Sequence, residues 1–331
     1  MEQMKQMLAL MDRPAFCAEN GRICALNNAA RSLALAEGTP LSELLADGQE
    51  AYAEFMEGCL TLELRLPGGS RIATLTSVEQ GHLFTLEPED TQEELRMLSL
   101  AAQVLRDPLS DAMALVDSLP EDMDKRPELS RSLHRLLRIV GNMTPPPPFR
   151  PETMELNALL EELWDKAQPA CERMGIRFTL TPCPAPVYSC VDSALLTRAI
   201  HNLLSNSMKF SQSRELGLEL QRSGKFYRIR FRDPAAQLPP DPFSRYLREP
   251  GLEDPRCGLG MGMSLVRSAA IAHGGTVLMT LLPEGGLLTE LRLPIRQDTT
   301  LRSPRRRLSY TGERDTLLVE LSDVLPPEFY Q

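Results

Sequence analysis

The residues best suited to chemistry lie in one stretch, Asp192–Ser211, which reads DSALLTRAIHNLLSNSMKFS. Its apolar residues recur at helical spacing, which predicts an amphipathic helix capped by Asp192. Asn202, Asn206 and Lys209 stand at i, i+4 and i+7, so they share one helix face. Amide oxygens are hard ligands for Mg²⁺ and lysine is a point charge for phosphate, so this face suits a metal-bound polyphosphate. A solvated face is the alternative, although two asparagines in mid-helix need a reason.

A glycine-rich turn follows further along the chain. Gly258, Gly260 and Gly262 form GLGMG and lead into an apolar helical stretch, MSLVRSAAIAHGG. Glycine lets backbone N–H groups approach a phosphate closely, and a helix N-terminus adds a favourable field. A dinucleotide-binding loop is the alternative for this spacing. The turn follows the polar loop GLEDPRC instead of a strand and lies well downstream of the asparagine helix, which argues against that alternative.

The segments HNLLSNSMKFS and GLGMGMSLVRSAAIAHGG, in this order, resemble the asparagine box and the second glycine box of sensor histidine kinases. The resemblance implies that residues 153–296 form an α/β sandwich of the gyrase, Hsp90 and histidine-kinase type. It also implies ATP and Mg²⁺ as cofactors. Asn206, with Asn202, would hold the metal, while Lys209 and the glycine backbone would hold the phosphates.

The adenine end of such a site departs from the family pattern. Asp233 matches the aspartate that hydrogen-bonds the adenine amino group in the family, but Ala235 and Gln237 replace the glycines of Asp-x-Gly-x-Gly. The lining of the pocket is therefore expected to differ. The segment Pro242–Tyr246 resembles the aromatic box of the family, and residues 248–257 would form a short polar lid.

Residues 93–143 are predicted to form a helical hairpin whose apolar faces are too large for two helices to bury, which favours a dimeric four-helix bundle. In the family this hairpin carries the phosphoacceptor histidine in the motif His-Glu-x-Arg-Thr-Pro-Leu. The matching segment here is QVLRDPL, with Gln103 in the place of the histidine. A carboxamide is not a usable nucleophile, and Val104 and Asp107 replace two further motif residues, so the phosphoacceptor site is predicted to be degenerate.

The four histidines of the chain are all predicted to have ordinary roles. His134, on the second hairpin helix, could be a substitute acceptor, but no acidic residue adjoins it, which favours a surface or interface histidine. His201 and His273 are predicted to be structural, and His273 matches the histidine that caps the helix after the glycine box. His82 is predicted to be a strand residue and not a haem ligand.

The remaining segments complete a multidomain α+β protein. Residues 1–92 are predicted to be a small α+β domain that resembles a PAS sensor domain, on the segment CAENGRICALNNAARSL. Residues 144–152 form a stiff linker that contains TPPPPF. In the tail, residues 297–331, a basic start is expected to be solvated. Its apolar and acidic end, TLLVELSDVLPPEFY, could be a short helix that docks on a partner or on the domain itself.

Composition limits the possible functions. The 331 residues suit two or three small domains, and a content of 42% apolar and 24% charged residues is ordinary for a globular protein. A net charge of -9 argues against a nucleic-acid partner. Seven cysteines without a C-x-x-C pair suit free thiols in a reducing compartment. No apolar run approaches the length of a membrane span and no signal peptide opens the chain, so no membrane insertion and a cytoplasmic location are expected.

The leading hypothesis is a cytoplasmic, dimeric homologue of sensor histidine kinases in two-component signal transduction. It would bind Mg-ATP but act as a pseudokinase, because Gln103 replaces the phosphoacceptor. Its partners would be a second copy or a histidine kinase, and a response regulator. The alternatives are an active kinase that uses His134 or a partner's histidine, and an interaction scaffold that binds no nucleotide. An ATP-hydrolysing switch is disfavoured because Asn202 stands where gyrase-type enzymes have a glutamate base.

Overall fold

The computed structural model describes residues 2–46, 48–79, 81–87, 91–144, 148–239, 242–243, 261–296 and 314–331. Within them lie an N-terminal sheet, a pair of long helices and a C-terminal α/β domain. The six cysteines of these residues are all free thiols, as expected. No helix in these ranges combines the length and the apolarity that a membrane crossing requires.

The N-terminal unit is an antiparallel five-stranded sheet with short helices. Its elements are α1 Glu2–Ala9, β1 Ala15–Glu19, β2 Arg22–Leu26, α2 Asn28–Arg31, α3 Leu41–Leu44, α4 Gln49–Glu54, β3 Cys59–Leu66, β4 Gly69–Val78 and β5 Gly81–Leu86. The strand order is β2-β1-β5-β4-β3. At the turn between β1 and β2, Asn20 and Gly21 have φ angles of 50° and 74°, which is the left-handed conformation that a tight hairpin turn requires.

Two long helices follow, α5 Thr91–Asp117 and α6 Arg126–Met143. They pack on each other through the residues that the apolar periodicity singled out, including Leu109, Met113 and Leu137. Helix α5 continues through Pro108. Other members of the same apolar pattern stay exposed, among them Leu105 and Leu136, so the helix pair leaves part of its apolar surface in solvent.

The C-terminal domain contains the predicted asparagine helix and glycine-box helix. Its elements are β6 Glu152–Glu155, α7 Leu156–Arg173, β7 Arg177–Thr181, β8 Tyr188–Val191, α8 Ser193–Phe210, β9 Glu215–Ser223, β10 Phe226–Asp233, α9 Gly262–Ala272, β11 Thr276–Leu281 and β12 Leu287–Pro294. After it come α10 Thr316–Glu320 and a 3₁₀ turn, Pro327–Tyr330. Helices α7, α8 and α9 share one apolar core with the sheet, since alternate residues of β10 such as Tyr227 and Ile229 point into it.

The sheets of the N-terminal unit and of the C-terminal domain are one sheet of ten strands, in the order β2-β1-β5-β4-β3-β11-β12-β10-β9-β7. The junction is an antiparallel pairing of β3 with β11, in which Thr61 lies opposite Val277. The buried Thr61 hydroxyl accepts a hydrogen bond from the Val277 N–H (3.3 Å) and donates one to the Val277 carbonyl (3.4 Å). The strands themselves were predicted, but not this pairing across domains.

We expect Gly58→Ala to weaken this junction selectively. Gly58 has a φ of 103°, and a Cβ there would lie 2.2 Å from the carbonyl oxygen of Met279 on β11. Gly69 has a similar φ of 118° but nothing within 4 Å, so Gly69→Ala is a control for backbone strain alone. Strain at such a position costs about 1–3 kcal/mol, and the clash should add about 2 kcal/mol more for Gly58→Ala.

Urea unfolding of both variants measures this difference as a change in the free energy of unfolding. Equal losses of stability in the two variants would contradict a tight β3–β11 contact in solution.

Candidate nucleotide-binding site

Helix α8 is positioned by a cap at its first turn. The Asp192 carboxylate accepts hydrogen bonds from the backbone N–H groups of Ala194 (3.1 Å) and Leu195 (3.3 Å), as predicted for an N-cap. The Asp192 N–H in turn donates to His273 Nε2 (3.0 Å), and His273 Nδ1–H donates to the Ala269 carbonyl (2.7 Å). His273 therefore ties the start of α8 to the end of α9, and it caps α9 as predicted.

The polar face of α8 meets the first residue of α9. A Cβ built on Gly262 would lie 3.0 Å from Asn202 Oδ1 and 3.6 Å from Asn206 Oδ1, so a larger residue would fit only if the Asn202 amide shifted by a few tenths of an ångström. Asn202 is fully buried and Lys209 is nearly so. The structure thus brings Asn202, Asn206 and Gly262 together, and Lys209 lies further along the same helix. The other two glycines, Gly258 and Gly260, lie outside the described residues.

Asp233 lies where β10 ends, next to the C-terminal end of α8. Its Oδ1 accepts hydrogen bonds from the Ser211 hydroxyl (2.7 Å) and from the Ala235 N–H (3.2 Å). Ser211 is the C-cap residue of α8, so the two elements are fastened to each other. Asp233 Oδ2 is buried and has no hydrogen-bond partner among the described residues.

An unpartnered buried acceptor is costly, and an exocyclic amino group such as that of adenine would satisfy it. Asp233 Oδ2 is therefore an available acceptor for such a group, with Ala235 and Gln237 at the neighbouring positions where the family has glycines. Phe243, from the segment that resembles the aromatic box, is buried in the core of the domain. Residues 244–257, with the rest of that box and the predicted lid, lie outside the described residues.

Two carboxylates from the C-terminal segment, residues 314–331, bind polar side chains of α8. Glu320 accepts hydrogen bonds from Arg198 Nε (3.0 Å), Arg138 Nε (3.1 Å) and Asn202 Nδ2 (3.2 Å). Asp323 binds Lys209 and Arg138 through its Oδ2. Every one of these side chains is less than a tenth exposed, so the contacts form in a dry environment.

Burial dominates the electrostatics of Lys209. Burial and, after it, the nearby Arg138 lower the pKa of the ammonium, Asp323 partly restores it, and the net effect takes it from 10.5 to about 8. Burial alone would raise the pKa of Asp323, but Arg138 and Lys209 outweigh that effect and lower it. The carboxylate therefore stays ionised at neutral pH.

The arginines and carboxylates of this network were not predicted from the sequence. A signal was available, because Arg131, Arg135 and Arg138 repeat on α6 at i, i+4 and i+7, the spacing that drew attention to the asparagine helix. All three contact the C-terminal segment: Arg131 donates to backbone carbonyls there, including that of Ser322 (3.0 Å), and Arg135 donates to Asp323 (3.0 Å).

The candidate acceptor positions lie on the long helices. Gln103 is exposed on α5. His134 is not at the surface but at an interface within the chain, between α6 and the C-terminal segment. Its Nδ1–H donates to the Ser130 carbonyl (2.8 Å) and its ring lies against Tyr330, with centroids 5.0 Å apart. Burial lowers its pKa. His82 lies on β5, as predicted, and contacts the Tyr52 hydroxyl through Nδ1 (3.0 Å).

Comparison with known proteins agrees with this geometry. Residues 191–297 match the family described as histidine kinase-, DNA gyrase B- and HSP90-like ATPase. Sensor histidine kinase GtrS of Pseudomonas aeruginosa is 28% identical over 81% of this chain and 51% of its own length. CpxA of Klebsiella pneumoniae is 24% identical over 76% of this chain and 58% of its own. Sensor protein KdpD of Escherichia coli is 30% identical over 31% of this chain and 12% of its own.

The C-terminal domain is thus an ATPase domain of the histidine-kinase, gyrase and Hsp90 type. Over most of its length the chain is similar to sensor histidine kinases, which confirms the resemblance drawn from its motifs. It spans no more than 58% of the length of the three relatives named above.

Two buried histidines of this domain should respond differently to replacement. His201 is buried with no hydrogen bond to either ring nitrogen among the described residues, and burial lowers its pKa to about 4. His273 has both nitrogens paired. At pH 7.5 we expect His273→Leu to cost about 1–3 kcal/mol of stability, whereas His201→Leu should cost less than about 1 kcal/mol.

The pH dependence gives a second readout. Because the folded pKa of His201 lies below its unfolded value, the unfolded state binds more protons as the pH falls from about 6.5 toward 4, and stability declines there. His201→Leu should remove up to about 1.4 kcal/mol per pH unit of that decline. Urea unfolding between pH 4.5 and 7.5 measures both effects. An unchanged slope in the His201 variant would show that this side chain is solvated.

Proposed function

We propose that this chain is a sensor histidine kinase homologue of two-component signalling that binds Mg-ATP and does not phosphorylate itself on the family position. The observation that carries the proposal is the polar face of α8, where Asn202 and Asn206 face Gly262 at the start of α9. Beyond the C-terminal end of the same helix, Asp233 Oδ2 is buried and has no hydrogen-bond partner among the described residues. Amide oxygens for a metal and a free acceptor for a base are the groups that a metal-bound nucleotide needs.

The roles of the residues follow from their chemistry. Asn206, with Asn202, would hold Mg²⁺ through amide oxygens, and the metal would neutralise phosphate charge. Lys209 and the backbone of Gly258, Gly260 and Gly262 would hold the phosphates. Asp233 would accept a hydrogen bond from the adenine amino group, for which its Oδ2 is available.

We infer the lack of autophosphorylation from the chemistry and burial of the two candidate acceptor residues, Gln103 and His134. Gln103 is exposed on α5, where a partner domain could reach it, but its carboxamide cannot attack a phosphoryl group. His134 has the right chemistry, but it is buried under Tyr330 with Nδ1 bonded to a backbone carbonyl. The proposed partners are a second copy or a related kinase, held through exposed apolar residues of α5 and α6 such as Leu105 and Leu136, and a response regulator.

Replacing Asp233 by Asn should weaken nucleotide binding specifically. The change presents a donor to the adenine amino group in place of an ionised acceptor, so we expect affinity for a nonhydrolysable Mg-ATP analogue to fall about 10- to 100-fold. Calorimetry measures this. Asp165→Asn, an exposed carboxylate on α7 of the same domain, is the matched control and should bind as the wild type does. Equal affinity of the two variants would contradict the role of Asp233.

Incubation with ATP labelled on its γ-phosphate tests the pseudokinase proposal. Phosphohistidine is stable to base and labile to acid, so we expect no label of that kind on the wild-type chain. If such label forms, His134→Gln decides its position: loss of label would assign it to His134, and retained label would assign it to another histidine. Either result would refute the proposed lack of self-phosphorylation.

A second candidate function is an interaction scaffold that binds no nucleotide. The observation in its favour is that Asp323 already pairs with Lys209 and Glu320 already bonds Asn202. The calorimetric titration described above separates the candidates, since a scaffold would show no binding at millimolar analogue in the wild type and in every variant.

A further inference from the structure

The C-terminal segment, residues 314–331, is wedged between the long helices and the ATPase domain. Val319 joins the apolar cluster of α5 and α6, together with Leu133 and Leu137. On its other side, Leu321 and Leu325 belong to the core of the ATPase domain. The segment is thus held by two bodies at once.

Its acidic side chains are aimed at the donors of the candidate nucleotide site. Glu320 has no exposed side-chain surface and bonds Asn202 Nδ2 as well as Arg198 and Arg138. The Asn202 Oδ1 atom, which a metal would need, faces Arg138 at 3.4 Å. Both atoms of this amide are therefore engaged in the structure.

The same holds for the ammonium group of the site. Lys209 Nζ binds Asp323 Oδ2, which also binds Arg138. Asn202 and Lys209 lie about two turns apart on α8, and the segment engages both, the first through Glu320 and the second through Asp323.

Four cationic side chains, Arg135, Arg138, Arg198 and Lys209, form ion pairs with the two carboxylates of the segment. Guanidinium and ammonium groups bind carboxylate and phosphate oxygens by the same charge-assisted hydrogen bonds. When the segment leaves, these four cations lose both carboxylates, and an anionic metal-phosphate group could replace them.

We propose that the C-terminal segment is an internal competitor of the nucleotide, with the Glu320 and Asp323 carboxylates occupying the donors that the phosphates and the metal require. The proposal rests on the proposed function, since it names the regulation of that same site. Nucleotide binds when the segment withdraws, and its apparent affinity is reduced by the fraction of molecules in which the segment is docked.

Withdrawal of the segment has a second consequence. Three arginines of α6 bind this segment, which in turn packs on the ATPase domain: Arg131, Arg135 and Arg138. Its release therefore loosens α6 from α8 at the same time as it opens the site. Any partner that captures the segment would favour nucleotide binding, and nucleotide would favour capture of the segment by the partner, because such a coupling is reciprocal.

Point variants of the full chain test the competition, because deletion of the segment would expose core residues such as Leu321 and Leu325. Asp323→Asn removes the ion pairs to Lys209 and Arg138. Glu328→Gln removes one charge from an exposed position of the same segment and is the matched control. We expect Asp323→Asn to tighten binding of a nonhydrolysable Mg-ATP analogue about tenfold relative to the control, by calorimetry.

Three outcomes are distinguishable. Tighter binding in Asp323→Asn than in Glu328→Gln supports the competition. Equal, measurable affinity in the wild type and both variants overturns it and leaves the proposed function intact. No binding in any of them overturns both proposals.

Hydrogen exchange of the wild-type chain supplies a measurement that does not depend on a variant. Backbone amides of α10 and of residues 321–325, several of them bonded within the segment, should exchange at least several-fold faster with saturating Mg-ATP analogue than without it. The amides of β12 act as the internal control and should not change. Nucleotide that binds without any change in α10 would overturn the competition.

Discussion

The packing of the long helices on the ATPase domain depends on a network of buried ion pairs. Two carboxylates, Glu320 and Asp323, stand at the centre of that network. Glu320 and Asp323 join three elements that are far apart in sequence, because α6 supplies Arg138 while α8 supplies Arg198 and Lys209. Removal of one partner from a buried ion pair costs about 3–5 kcal/mol, since the other charge is left without water or a counterion. The long helices and the ATPase domain are therefore bound together through a short peptide and not through direct contact alone.

The same network engages groups that the proposed nucleotide site would use. Glu320 and Asp323 bind Asn202 and Lys209 by charge-assisted hydrogen bonds, which phosphate oxygens would also form. At Asp233, by contrast, Oδ2 has no hydrogen-bond partner among the described residues. The two parts of the proposed site therefore differ, because the chain itself satisfies only one of them.

The ten-stranded sheet imposes a second constraint, because it makes the N-terminal unit part of the ATPase domain's framework. Backbone hydrogen bonds between β3 and β11 are directional and buried beside Thr61, so the two units cannot rotate against each other without breaking them. A signal received by the N-terminal sheet would therefore reach β11, which follows α9 directly along the chain.

The sequence by itself determined the local features of the structure, such as helix caps and shared helix faces. The N-cap at Asp192, the cap of α9 at His273 and the shared face of Asn202 and Asn206 depend on neighbours a few residues away, which a linear pattern records. What only the tertiary structure decided was the pairing of β3 with β11 and the docking of Glu320 and Asp323 on α6 and α8. These contacts join residues that are more than a hundred positions apart in the sequence. They are stable because both partners are buried together away from water, and no local periodicity specifies which distant residues will meet.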